Sequence, residues 1–167
     1  LRLVQMAGPK ASFTWWGEDR PADAFLTAYA YYADWHASKV LELSLPPEHW
    51  QQVLQVYAQE AANTPLLQRA LILSFAREMR LPVKTLLAGL LDDLATAPVG
   101  GEAQLLDDSA DSLVMAAPDS ALGLAGARVL AARLAAQASV PLPPAFAGQL
   151  ADARRQLDTS AQPFAQA

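Results

Sequence analysis

The sequence predicts an all-α fold made of stacked antiparallel helical hairpins. Alanine and leucine, which both favour helix, dominate a chain of 167 residues that is 53% hydrophobic and 17% charged, against a usual charged share of about 25%. Apolar residues recur at helical spacing, and three pairs of helical segments are each joined by a short linker that contains Leu-Pro. Residues 1–167 are therefore expected to form a single helical domain without strands.

The most aromatic part of the chain predicts the first helix, over residues 22–41. It follows an aromatic lead-in segment, residues 1–21, in which Trp15 and Trp16 are adjacent. Aromatic side chains cover so much of this helix that one apolar stripe is too narrow to hold them. A helix that is apolar nearly all round is usually buried on most sides, so we expect this helix to lie at the centre of the domain.

The positions of the prolines predict where the remaining helices begin. Proline is favourable at the first helical position, whose N–H has no intrahelical partner, and short connections make antiparallel neighbours. The three linkers are Leu45-Pro46-Pro47, Leu81-Pro82 and Leu142-Pro143-Pro144. Two helix pairs are predicted over residues 22–96, with helices at 47–62, 65–79 and 82–96, and a third pair over residues 119–158, with helices at 119–138 and 144–158. Buried and amphipathic helices alternate, as expected when one layer lines an interior and the other faces water.

The helical signal is weakest between the second and third pairs. Pro98-Val99-Gly100-Gly101 is a clear break, and residues 97–118 are expected to form an irregular crossover. In the helix that follows, Gly123 and Gly126 each cost about 1 kcal/mol relative to alanine, which close helix contact would explain. Residues 160–167 are expected to begin another helix.

Charge and cysteine content exclude several classes of function. The net charge is −5 and the basic residues are scattered, so nucleic acid is not an expected partner. The chain contains no cysteine, which excludes disulfides, thiolate metal sites and a cysteine nucleophile within it. No apolar run reaches the roughly 18 residues of a membrane helix, so no membrane insertion of this segment is expected. Because the first residue is Leu1, we expect a piece of a larger protein.

One acidic string follows a metal-binding pattern. Asp107, Asp108 and Asp111 have the Asp-Asp-x-x-Asp spacing of prenyl-diphosphate enzymes, in which aspartates one helical turn apart share Mg²⁺ ions bound to a diphosphate. The nearest basic residue is Arg128, and no second aspartate-rich helix has matching spacing. A solvated acidic loop is therefore favoured over a metal site.

The two histidines and the aromatic residues are the other candidates for a site. A catalytic histidine needs an orienting partner, but Asp34 lies on another side of the helix from His36, and Glu48, beside His49, is expected at a helix start anyway. Helical spacing favours core packing over a ligand cavity for the aromatic cluster: Phe13, Trp15, Trp16, Phe25, Tyr29, Tyr31, Tyr32 and Trp35. We therefore assign no catalytic, cofactor-binding or metal-binding residue, and expect no cofactor.

Four features occur in a characteristic order near the start of the chain. They are Gln5, then Ser12-Phe13, then Trp15-Trp16, then a helix that begins Phe25-Leu26-Thr27-Ala28-Tyr29. In this order they resemble the thioester-domain region of alpha-2-macroglobulin and complement-type proteins, and the turn is most similar to that of the bacterial branch. The resemblance covers residues 3–96. It implies an α/α toroid, in which inner and outer helices alternate around a ring, and the predicted hairpins favour the same architecture.

The resemblance also implies a function. Such proteins are large and exported, and in bacteria they trap or inhibit proteases in the periplasm or cell envelope after a bait region elsewhere is cleaved. The expected partners are the other domains of the parent protein and proteases. Some members carry a Cys-x-x-Gln thioester, which a chain without cysteine cannot form, and neither His36 nor His49 matches the histidine that assists thioester transfer. The chain is therefore expected to be a non-catalytic scaffold and contact surface.

Two other interpretations stay open. An α/α-barrel enzyme of the terpene-cyclase kind would place Asp107, Asp108 and Asp111 on Mg²⁺. A generic helical-repeat interaction module would form an open array of hairpins rather than ring-like layers.

Overall fold

The computed structural model describes residue 13, residues 23–98 and residues 120–165, and the two longer ranges are helical apart from short linkers. The helices are α1 (Ala24–Val40), α2 (Pro47–Glu60), α3 (Leu66–Glu78), α4 (Lys84–Thr96), α5 (Ala121–Ala138) and α6 (Pro144–Ala165), and a 3₁₀ turn, Ala61–Asn63, follows α2. No strand occurs within the described ranges. The all-α prediction is confirmed, and α1 to α5 begin and end within two residues of the predicted bounds.

The end of α6 differs from the prediction. The sequence indicated a helix that stops near Thr159 and a new helix after it, whereas α6 continues to Ala165. The Thr159 hydroxyl donates to the Arg155 carbonyl at 2.9 Å, and the Ser160 hydroxyl donates to the Gln156 carbonyl at 2.5 Å. Because both side chains bond back to the preceding turn, neither caps the start of a new helix.

Capping residues and prolines set the starts of four helices. Asp23 accepts the Leu26 N–H at 2.8 Å before α1, and Ser120 accepts the Gly123 N–H at 3.0 Å before α5. These side chains satisfy backbone donors that the first turn of a helix leaves free. Helices α2 and α6 instead begin on a proline, at the position where a missing N–H costs nothing.

Three helices end with the same turn, and this turn explains the repeated linkers. Just after α1, α3 and α5 a residue adopts a positive φ, and the next N–H donates to the carbonyl five residues earlier. The positive-φ residues are Glu42 (54°), Arg80 (64°) and Ser139 (54°), and the N–H groups belong to Leu43, Leu81 and Val140. This Schellman arrangement satisfies carbonyls at the helix end. A proline follows in each linker and prevents the helix from continuing.

The linkers join helices that contact each other. Helix α1 packs against α2, and α5 packs against α6. In the middle pair, Arg69 in the first turn of α3 forms an ion pair with Asp93 on α4, with N and O 2.6 Å apart. The prediction that short linkers make neighbouring helices is therefore confirmed for the first and third pairs.

The described chain divides into two compact units, each with its own core. The first contains residues 13, 23–64 and 71–86, and the second contains residues 65–70, 87–98 and 120–165. The largest fully buried side chains of the first unit are Thr27, Val53, Tyr57, Ile72 and Leu73. Those of the second unit are Leu87, Leu90, Leu91, Leu94 and Phe146. Several alanines of α5 are also fully buried in the second unit: Ala125, Ala127, Ala131 and Ala135.

Gly126 does not mark an unusually close helix contact. A Cβ atom at this position would lie 3.6 Å from Leu67 Cδ1, which is an ordinary van der Waals distance. The expected packing reason for a glycine is therefore not found at Gly126, since an alanine would fit there.

Helix α1 is less buried than the sequence predicted. Its buried residues are Ala24, Thr27, Ala28, Ala30, Tyr31 and Ser38. Tyr29 is 56% exposed, and Asp34, His36, Lys39 and Val40 also face solvent. The aromatic side chains are divided between two partner elements instead of filling one interior, and this division leaves a solvent-facing side.

Three predicted features lie wholly or mostly outside the described residues: the aromatic lead-in segment 1–21 apart from Phe13, the expected crossover at 97–118, and the acidic string of Asp107, Asp108 and Asp111. Within the described ranges, none of the helices combines the length and the apolar character that crossing a bilayer requires.

Candidate functional site

Two motif residues that carry the family resemblance meet at the start of α1. The Phe13 N–H donates to the Thr27 hydroxyl at 2.9 Å, and the Asp23 N–H donates to the Phe13 carbonyl at 3.0 Å. The Thr27 hydroxyl also lies 3.4 Å from the Phe13 carbonyl, and the Thr27 side chain is fully buried. A hydrogen bond left unmade in such a position costs about 1–3 kcal/mol, so these contacts fix Phe13 against the helix.

Tyr31 is the centre of the first aromatic cluster, which comprises Phe13, Tyr31, His49 and Trp50. Its ring is edge-on to Phe13, His49 and Trp50, with centroids 5.9, 5.2 and 6.5 Å apart respectively. Edge-to-face contacts of this kind are favourable because the positive ring edge meets the negative ring face. Burial, and after it the charge of Asp34, raises the pKa of the Tyr31 hydroxyl above its ordinary value. The cluster therefore ties residue 13, α1 and the start of α2 together.

Asp34 and His49 form a pair that sequence reasoning missed. Asp34 Oδ2 lies 3.0 Å from His49 Nε2, and both side chains are partly exposed. Among the described residues, the ring neighbours of His49 are Tyr31 and Trp50, and no serine or threonine hydroxyl bonds to it. A partly exposed pair of this kind contributes at most about 1 kcal/mol. Its geometry joins α1 to the first turn of α2, and the short first linker, which places these two regions side by side, is the sequence signal for it.

The second aromatic cluster, Phe25, Tyr29, Tyr32 and Phe75, joins α1 to α3. Tyr32 stacks on Phe75, with centroids 4.6 Å apart and ring planes at 19°, while Phe25 and Tyr29 flank Phe75 at 6.3 and 6.4 Å. The Tyr32 hydroxyl donates to a Glu78 carboxylate oxygen at 2.5 Å. That hydrogen bond is the main cause of the raised pKa of Tyr32, followed by burial and the charge of Glu78. Three residues of the predicted aromatic cluster thus serve helix packing.

The aromatic side of α1 continues into a cation–π contact. Lys39 Nζ lies 3.3 Å from the Trp35 ring centroid, and His36 is edge-on to Tyr32 at 4.5 Å and to Trp35 at 5.0 Å. His36 and Lys39 are exposed. Exposed cation–π contacts contribute about 0.5–1 kcal/mol. Aromatic rings with a polar rim are typical of protein contact surfaces, and this part of α1 has that character.

Beyond Lys39, the last residue of α1 and the linker to α2 expose several aliphatic side chains. We call Val40, Leu41, Leu43 and Leu45 the first-linker strip. The strip follows the cation–π contact directly in the sequence and belongs to the same unit. The described surface of the first unit therefore combines an aromatic, a polar and an aliphatic part.

The second unit holds a buried cation at the end of α4. Arg128 is 4% exposed, and its Nη2 donates to the carbonyls of Leu94 at 3.3 Å and Ala97 at 3.0 Å. Gln149 Nε2 donates to the Ala95 carbonyl at 2.9 Å. Burial lowers the pKa of Arg128, because the interior disfavours the charged form. A cation and an amide donor at the end of a helix satisfy its free carbonyls and oppose its dipole, so both side chains act as caps.

The described residues contain no group of three or more histidines, aspartates or glutamates placed to hold a metal ion. Asp107, Asp108 and Asp111 lie outside this part of the chain, so the predicted acidic loop stays a prediction. A shallow depression on α6 is open to solvent and lined by Asp152, Arg155, Gln156, Thr159 and Ser160. The geometry of the described side chains is thus that of contacts between helices.

Comparison with known proteins finds a similarity over nearly the whole chain. The chain is 43% identical over 168 aligned residues, 99% of its length, to an alpha-2-macroglobulin from Ralstonia nicotianae. It spans 10% of the length of that protein. No family model matches the chain, and no solved structure matches it. The similarity supports a segment of an alpha-2-macroglobulin-like protein, in agreement with the resemblance found in the sequence.

Proposed function

We propose that the chain is a non-catalytic helical region of a bacterial alpha-2-macroglobulin-like protein that traps proteases. The observation that carries this proposal is the 43% identity to an alpha-2-macroglobulin over 99% of the chain. In the proposed mechanism a protease cleaves a bait region elsewhere in the protein, and the protein then closes on it. This region serves as a scaffold and as a surface on which other domains rest.

The contacts of α1 support a scaffold role. Phe13 is fixed by hydrogen bonds to a fully buried threonine, and Tyr31 and Tyr32 hold two different partner helices through separate aromatic clusters. Dense packing of this kind resists deformation, since protein interiors are packed as closely as organic crystals. The first unit, packed in this way, can be displaced as a rigid body when a neighbouring domain moves.

We further propose that the helices belong to an α/α toroid like that implied by the resemblance. Helices α1, α3 and α5 share one type of C-terminal turn and alternate along the chain with α2, α4 and α6. This alternation supports inner and outer layers. A cryo-electron microscopy map of the full-length protein tests the arrangement, because an open array of hairpins would contradict it.

The trapping proposal is tested with the full-length protein and an active protease. After mixing, cleavage of a small peptide substrate should persist, while cleavage of a large protein substrate should fall, because a trapped protease keeps its active site but is shielded from large molecules. A protease whose active site has been blocked beforehand is the control, and it should not be captured. Unchanged cleavage of both substrates would contradict the proposal.

The proposed location is the periplasm or cell envelope, by resemblance to exported members of the family. Fractionation of cells that produce the full-length protein tests this. Recovery with a periplasmic marker supports export, and recovery with a cytoplasmic marker contradicts it.

A further inference from the structure

We infer that the first-linker strip is a docking surface for an apolar surface on another domain of the same polypeptide. The inference rests on the proposed function, because it requires a parent protein with other domains.

The strip is the most exposed aliphatic part of the described chain. Val40 is 82% exposed, Leu41 65%, Leu43 56% and Leu45 37%, and all four lie within six consecutive residues. Single exposed leucines are ordinary on protein surfaces, but clusters of exposed apolar side chains mark interaction sites. The exposure of the whole strip therefore needs an explanation, whereas the exposure of a single leucine would not.

The other two linkers provide an internal comparison. All three follow the same C-terminal turn, in which the first residue after the positive-φ position is aliphatic: Leu43, Leu81 and Val140. Leu81 and Val140 are half-buried, and Met79 and Val83 of the second linker are 5% and 3% exposed. The turn geometry therefore does not force exposure. Only in the first linker does the whole aliphatic set face outward.

Part of the backbone at the strip makes no hydrogen bond within the described residues. The Leu43 N–H donates to the Ser38 carbonyl at 2.8 Å, but the N–H groups of Ser44 and Leu45 make no hydrogen bond to any described residue. Residues 43–46 are neither helical nor turn, so this short stretch places exposed apolar side chains beside N–H groups that make no hydrogen bond within the described part of the chain.

The small size of the strip favours a tethered domain over a separate protein as its occupant. Four side chains cover far less than the roughly 800 Å² per partner that a stable complex of separate proteins buries. A domain linked through the same polypeptide binds at a high effective concentration, so a small apolar contact is enough. The neighbouring charges are mixed, with Glu42 and Glu48 near Lys39, so the strip does not favour a strongly charged ligand.

Cysteine labelling in the full-length protein tests the inference. Leu45→Cys and Leu142→Cys form a matched pair, since the two leucines are 37% and 38% exposed in this chain and each precedes two prolines. The rate of modification by a maleimide is measured at each site by peptide mass spectrometry and divided by its rate in denaturant. If a domain covers the strip, Leu45→Cys should react at least about tenfold more slowly than Leu142→Cys. Equal normalised rates would overturn the inference.

Two further observations identify the occupant. Protection that is independent of protein concentration supports an intramolecular domain, whereas protection lost on dilution indicates a second copy and overturns the inference. Protection that appears only after protease is added indicates the protease as occupant, and it also overturns the inference. The comparison of Leu45→Cys with Leu142→Cys is made on protein that has not met a protease, so its outcome is separate from the trapping assay, which can fail while the strip is protected.

Hydrogen exchange in the unmodified full-length protein gives the same test without a substitution. The amides of Ser44 and Leu45 have no partner within the described chain, so an uncovered strip predicts exchange near the intrinsic rate. Exchange slowed by about tenfold or more supports a covering domain, and exchange at the intrinsic rate contradicts it.

Discussion

Removal of one buried hydroxyl tests how Phe13 is held against α1. In Thr27→Val the side chain keeps its shape, but the Phe13 N–H loses the acceptor that lies 2.9 Å away. A partly buried N–H left without a partner costs about 1–3 kcal/mol. The added methyl group lies in a fully buried position and recovers up to about 1 kcal/mol. The free energy of unfolding should therefore fall by about 1–2 kcal/mol.

Urea denaturation of the chain, followed by circular dichroism, measures this change. Thr96→Val is the matched control, because the Thr96 hydroxyl is exposed and bonds only to carbonyls of its own helix, so its loss should stay within about 0.5 kcal/mol. Thr27→Ser keeps the hydroxyl and should keep slow hydrogen exchange at the Phe13 amide, which Thr27→Val should accelerate. If Thr27→Val destabilised the chain no more than Thr96→Val, the proposed anchor would be wrong.

Three further substitutions test other parts of the structure. Leu90→Ala removes a fully buried side chain and should lower the free energy of unfolding, measured by urea denaturation, by about 2–5 kcal/mol. Leu122→Ala, at a residue 38% exposed, should lower it by less than about 1 kcal/mol. Similar losses of stability in the two variants would contradict the assigned core. The pKa of Tyr31 is raised in the folded chain, so the unfolded chain ionises first and the free energy of unfolding should fall above about pH 10. Tyr31→Phe should make that fall less steep. If the free energy of unfolding depended on pH in the same way in both proteins, burial of the hydroxyl would be contradicted. Gly126→Ala should stabilise the chain by up to about 1 kcal/mol, as should Gly89→Ala in open space, and a loss at Gly126 alone would show that the backbone there needs glycine.

Helix bounds could be predicted because their signals are local. The prolines of the three linkers and the capping residues Asp23 and Ser120 act on their own turn of the chain, and local hydrogen bonds decide where each helix starts. The prediction of where α6 ends was wrong for a related reason. Thr159 and Ser160 can cap a helix or bond back within one, and their identity alone does not decide between the two.

The candidate site was less predictable because its contacts depend on which face each helix turns toward its neighbours. The pair of Asp34 and His49 joins residues 15 positions apart, and the bond of Tyr32 to Glu78 joins residues 46 positions apart. Neither follows from spacing within one helix. The expectation that α1 is buried on most sides was wrong for the same reason. The aromatic content of α1 does not show that its rings divide between two separate clusters.

The common turn after α1, α3 and α5 has a consequence for how the chain acquires its structure during synthesis. Each turn is closed by a hydrogen bond between residues only five positions apart, and the first and last pairs of helices then pack on their immediate neighbours. Contacts so close in sequence form quickly. As the polypeptide leaves the ribosome, each of these hairpins can close before the next one emerges, so a very long protein would assemble this region in steps rather than wait for its distant end.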